Sequence, residues 1–133
     1  MVNPIVEIIG AAIVAFVVGA IWHGPLFGKV WMKMMNITPK ITKKMKCSPT
    51  KSMTLGFVSV IVAAYVLNMF LLILGADTVK EAVIAAFILW LGFSAPIVFG
   101  SYLWENRSFK LTAFNGFYRL VELAVLAIVL AVW

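Results

Sequence analysis

The sequence predicts an all-α membrane protein of four transmembrane helices, with a short amphipathic surface helix in its first loop. The first observation behind this is compositional: 64% of the 133 residues are hydrophobic and 12% are charged, against roughly 45–50% apolar usage in soluble domains. A soluble domain of this length must cover its surface with polar atoms, whereas a bilayer accepts apolar side chains on the outside of every helix. The second observation is that four apolar stretches each approach the ~20 residues that a helix needs to cross a bilayer. The third is the placement of charge, since Lys29, Lys33, Lys40, Lys43, Lys44, Lys46 and Lys51 all fall between the first two apolar runs.

The first span covers about 4–22. Asn3 serves as helix cap and Pro4 takes the first helical position, where its missing N–H costs nothing. No basic n-region precedes this run and no small-x-small pattern follows it, so it reads as a retained helix and not a cleaved signal. A basic loop at 23–49 comes next. Within it Phe27, Val30, Trp31 and Met34 recur at helical spacing with Lys29 and Lys33 on the other side, as in a helix lying on a membrane surface. From Asn36 to Lys46 the chain reads as a solvated basic linker. The second span, about 50–74, repeats the start signal as Ser48-Pro49. A tight Gly75-Ala76-Asp77 turn leads to the third, about 78–103, where Ser94-Ala95-Pro96 is expected to kink the helix. The fourth covers about 112–133. No internal repeat is visible, and 1–133 reads as a single transmembrane domain.

Cytoplasmic loops retain Lys and Arg. The first loop is rich in lysine and the 105–110 loop adds Arg107 and Lys110, whereas the opposite loop has only Lys80. Both basic loops are therefore expected in the cytoplasm and both termini outside it, as a multi-pass protein of the cell membrane. Trp22, Trp31, Tyr102, Trp104 and Trp133 lie near predicted helix ends, where amphipathic rings prefer the headgroup zone. The expected partners are the bilayer itself and anionic lipid headgroups at the lysine-rich loop. Nucleic acid is not expected, because the basic segment lacks a series of stacking aromatics.

Ionisable groups inside a bilayer are costly and usually face the bundle interior or a wet cavity. On the fourth helix Asn115, Tyr118, Arg119 and Glu122 fall within one arc, and Arg119 and Glu122 are i, i+3 neighbours able to pair. They read equally as a structural ion pair or as a polar intramembrane site. Glu7 lies near the outer end of helix one, yet Glu7, Ala11, Ala15, Gly19 and His23 step along it at intervals of four, a small-residue stripe that would direct Glu7 inward. Asn68 is the one strongly polar residue of helix two. A second stripe on helix four, Ala124, Ala127 and Ala131, lies nearly opposite the polar arc and suggests a second neighbour, hence a homodimer. The lone His23 reads as a helix-terminal residue near the C-terminal dipole. No metal site and no cofactor are expected from a chain with one histidine and one cysteine.

The corner Trp22-His23-Gly24-Pro25-Leu26-Phe27-Gly28 with Trp31, an initial Asn3, and a fourth helix reading Asn115-Gly116-Phe117-Tyr118 and ending in tryptophan are similar to a known group. Over nearly its whole length the chain resembles a family of small prokaryotic four-helix membrane proteins known only as a domain of unknown function. In that family tyrosine commonly follows the first aromatic of the corner, so His23 is a departure. The resemblance implies the topology and no activity.

Two functions compete at this point. One is transport or permeation of a small solute or ion through the Arg119–Glu122 face; the alternative is a noncatalytic accessory or scaffold subunit of a larger membrane complex. Catalysis is not expected, because Glu7 and Glu122 sit at different depths and nothing resembles an activated nucleophile. Orientation has a direct check: an impermeant thiol reagent added outside intact cells should leave Cys47 unlabelled until the membrane is opened. Labelling of intact cells would invert the topology.

Overall fold

The structure is a computed structural model that describes residues 4–34 and 49–133. The Asn3 cap, the basic linker at 36–46, Cys47 and the Ser48 start signal lie outside the described residues. Six helices follow in order: α1 (Pro4–Ile21), α2 (Gly28–Met34), α3 (Pro49–Leu74), α4 (Val79–Leu89), α5 (Ala95–Trp104) and α6 (Phe109–Val132). Wider π-helical turns at Trp22–Leu26 and Trp90–Ser94 carry α1 toward α2 and join α4 to α5. Four continuous stretches are therefore long and apolar enough to span a bilayer: Pro4–Leu26, Thr50–Leu74, Val79–Trp104 and Phe109–Val132. The protein is an all-α membrane protein, and its largest apolar side chains, among them Leu72, Ile73, Phe93 and Ile97, point outward where lipid would cover them.

Local chemistry explains where each helix bends and stops. Pro25 has no N–H to offer the Ile21 carbonyl, and Pro96 has none for Gly92. The helix responds in both places by widening: the Phe27 N–H reaches back five residues to Trp22 O, and the Ala95 N–H reaches back five to Trp90 O. The expected kink at Ser94-Ala95-Pro96 is thus a π turn just before the proline. The widened turn absorbs Pro25, so the helical stretch continues past the Gly24-Pro25 pair and the break comes at Phe27. Gly28 is helical and buried, and its role is spatial, since a Cβ there would sit 2.9 Å from the His23 carbonyl oxygen.

At the far end of α3, Gly75 adopts φ +67°, the Ala76 N–H bonds Leu71 O at 3.0 Å and the Gly75 N–H bonds Leu72 O at 3.2 Å, closing the helix in a Schellman turn. Thr78 caps α4 by accepting from the Glu81 N–H at 3.1 Å, while the Glu81 carboxylate accepts from the Asp77 N–H at 2.8 Å. The fourth span begins at Phe109, three residues before the sequence-based boundary, because Ser108 caps it through the Leu111 N–H.

Helix α6 touches α1, α2, α3, α4 and α5. Its contact with α1 is antiparallel: Gly10 meets the Trp133 ring and Gly19 meets Tyr118, with Ala11, Ala12 and Ala15 buried between. On the α4 side, Ala82, Ala85 and Ala86 are buried in the same core as Leu126, Ala127 and Leu130. Ala127 is completely buried inside the chain. Of the second alanine stripe on this helix, Ala127 is thus covered by the protein's own helices and Ala131 packs against the same core, while Ala124 is half-buried. Among the described residues, an interhelical hydrogen bond ties the third span to α6, from the Trp90 indole N–H to the Gly116 carbonyl at 2.8 Å. Trp90→Phe removes that donor together with part of the ring, so thermal unfolding in detergent should show a loss of at least about 1 kcal/mol; an unchanged midpoint would mean the bond contributes nothing.

Candidate functional site

The Trp22–Leu26 turn folds α2 back under α1, and both dock on α6. Phe114 receives the corner, with ring centroids 5.5 Å from Trp22, 5.8 Å from Phe27 and 6.0 Å from His23. One turn further along α6, Tyr118 packs edge-on against His23 at 4.6 Å, and Trp31 of α2 closes on the other side of the imidazole at 5.0 Å. The His23 ring is oriented by its Nδ1, which lies 3.0 Å from the Gly19 carbonyl. A carbonyl only accepts, so Nδ1 is the donor in this contact. Pro25 is exposed at the turn, and the Trp22 indole N–H is buried without a hydrogen-bond partner among the described residues.

Above Tyr118, Arg119 Nη1 donates to Glu122 Oε2 at 3.1 Å. The guanidinium also lies over the Tyr118 ring, 5.4 Å from its centroid. The pair is lopsided in exposure: the Glu122 side chain is 8% accessible and that of Arg119 is 54%. Between α1, α3 and α6 these groups line a cleft of about 420 Å³, with Phe16, Gly19, Ala20, His23 and Trp31 on one side and Ser52, Met53, Gly56 and Val60 on the other. That volume is in the ordinary range for a small-molecule site, roughly 300–1,000 Å³. Glu122 is thirteen residues beyond Phe109 on a 24-residue helix, about 20 Å from its start at 1.5 Å per residue. It therefore marks the deep end of a cleft that begins at the basic face.

The structure brings together Tyr118, Arg119 and Glu122 and adds His23 and Trp31, which the sequence assigns to a separate interfacial corner. It does not bring Asn115 to them. Asn115 faces another, smaller cavity of about 180 Å³ with Val98, Ser101, Glu105, Arg107 and Thr112. It shares the polar arc of α6 but lies about 10 Å nearer the helix start than Glu122, and at that depth the neighbour is α5. Glu7 is also apart. It is half-buried near the Gly10–Trp133 end of the α1–α6 contact, about 18 Å along α1 from Gly19 at the helical rise. The stripe through Ala11, Ala15 and Gly19 is real as a packing face, and it leads to Tyr118, not to Glu7. The α3 wall went unread: Ser52 and Gly56 are small residues inside a long apolar run, a signal shared by many packing positions. Among the described residues no group of three or more His, Cys, Asp or Glu could hold a metal ion.

The fold and the cleft together define a four-span membrane protein with a mainly apolar cleft that carries an Arg119–Glu122 pair. Residues 6–131 match the family described as a protein of unknown function, DUF1761, and the chain belongs to that family. No curated protein and no solved structure matches it.

A Cβ on Gly19 would collide with the Tyr118 hydroxyl. Gly19→Ala should therefore cost about 1–3 kcal/mol of stability, the usual range for overpacking. Tyr118→Phe in the same chain should restore part of it, read as the thermal midpoint in detergent. A neutral Gly19→Ala would mean that the Tyr118 side chain moves aside without cost.

Proposed function

We propose that the protein carries a small solute or ion across the membrane and performs no catalysis, with the cleft at Tyr118, Arg119 and Glu122 as its binding site and its basic face toward the cytoplasm. The supporting observation is the exposure of Arg119. A pair that only held helices together would be sealed in the core, where its donors and acceptors satisfy one another. Here the guanidinium stands 54% accessible in a cleft of about 420 Å³, in a segment apolar enough to span the bilayer. Charged groups at such depth are costly, and those that persist mark solute and ion pathways.

Proteoliposomes loaded with a broad panel of small ions and solutes test this. At least one should move above the rate of empty vesicles, and Glu122→Gln should remove most of that flux while the protein still elutes as a folded species. Replacing Arg119 and Glu122 together by Met should abolish transport and leave folding intact, since removing both members of a pair strands no charge. Equal flux in wild type and Glu122→Gln, or none for any solute, would overturn the proposal.

A further inference from the structure

Which charge the cleft favours follows from the order in which its polar groups meet an entering molecule. Glu122 lies behind Arg119: the carboxylate is 8% accessible and hydrogen-bonded to the guanidinium, which itself is 54% accessible. A guanidinium has five N–H donors in a fixed fork suited to planar anions, and the contact with Glu122 engages Nη1. A cation seeking the carboxylate would have to displace Arg119 first, whereas an anion meets donors directly. The approach has the same sign. Lys51 adjoins the lining residue Ser52, while Lys29 and Lys33, two residues either side of Trp31 on α2, point to the other side of that helix and add only to the general positive charge of this face. On that face of the described structure Arg107 and Lys110 add positive charge and Glu105 is the only acid, whereas the opposite face has Asp77, Glu81 and Lys80. Such a mouth raises the local concentration of anions.

The rest of the wall is apolar. Phe16, Ala20, Met53 and Val60 line the cleft beside the aromatic wall of His23, Trp31 and Tyr118. Phe16 is itself held edge-on to Phe57 at 5.5 Å. A fully hydrated inorganic anion would leave these surfaces facing water. A molecule with an anionic head and an apolar body would match both.

We infer that the cleft binds an amphipathic monoanion, with its anionic group on Arg119 and its apolar body along Phe16, Met53 and Val60. This deepens the proposed function and rests on its choice of the cleft as the binding site. The same chemistry is available from a free carboxylic acid and from an anionic lipid of the adjoining leaflet.

Calorimetric titration of the purified protein in uncharged detergent with hexanoate, hexylammonium and hexanol reads the charge preference, because the three differ only in the head group. Hexanoate should bind, hexanol about tenfold more weakly for want of the charge-assisted bonds, and hexylammonium more weakly still. Arg119→Gln should bring hexanoate to the level of hexanol, and Lys80→Gln on the opposite face should leave it unchanged. Doping the micelles with phosphatidylglycerol separates the sources: competitive loss of hexanoate binding assigns the anion to the leaflet, and its persistence assigns it to a free solute. Hexylammonium binding as tightly as hexanoate would overturn the inference, as would Arg119→Gln leaving both hexanoate binding and phosphatidylglycerol retention unaltered. Arg119-dependent hexanoate binding without vesicle flux would retain the inference and remove transport, and flux of another solute without such binding would do the reverse.

Discussion

In a bilayer, apolar side chains gain little by leaving lipid for one another, so helices associate where their surfaces let backbones come close and where a few polar groups find partners. The α1–α6 contact is such a place. Ala11, Ala12 and Ala15 are buried to within 1%, and Gly10 and Gly19 receive Trp133 and Tyr118. Everything else in the fold is positioned from this contact. It places the corner on Phe114 and sets Tyr118 against His23, and it leaves the other side of α6 for the alanines of α4.

Two prolines shape the fold without breaking it. A proline in a membrane helix strands a carbonyl in lipid unless the backbone readjusts, and in both cases the readjustment is one widened turn. At Trp22–Leu26 it redirects the chain along the membrane face and brings Trp31 beneath His23. At Trp90–Ser94 it turns the Trp90 indole toward the Gly116 carbonyl. One device serves a corner in the first span and an interhelical bond in the third.

The Arg119–Glu122 pair gains its character from what surrounds it. Pairing at i, i+3 offsets part of the cost of burying the carboxylate, and the Tyr118 ring beneath the guanidinium adds a contact to the basic member. The asymmetry in exposure then gives the pair direction. The acid is held in the protein and the base is presented to the cleft, so a neutral pair acts on an entering molecule as a cation.

Much of this was legible from residue order alone. Four spans, the surface helix, the basic face, the Gly75 turn and the i, i+3 pairing all follow from composition, periodicity and local backbone chemistry, which act over a few neighbouring residues. The missed Ser108 cap and the Gly28 contact are local too, but their signals are single residues with several ordinary meanings. What the sequence could not order was depth and neighbourhood. Asn115 and Glu122 share a helical arc and meet different helices; Glu7 shares a stripe with Gly19 and lies at its other end; His23 seemed terminal and lines the same cleft as Glu122. By itself the sequence determined that this chain crosses the membrane four times and carries an ion pair within it. Only the tertiary structure decided that the pair opens onto a cleft built from α1, α2, α3 and α6, because which faces meet depends on contacts between residues far apart in the chain.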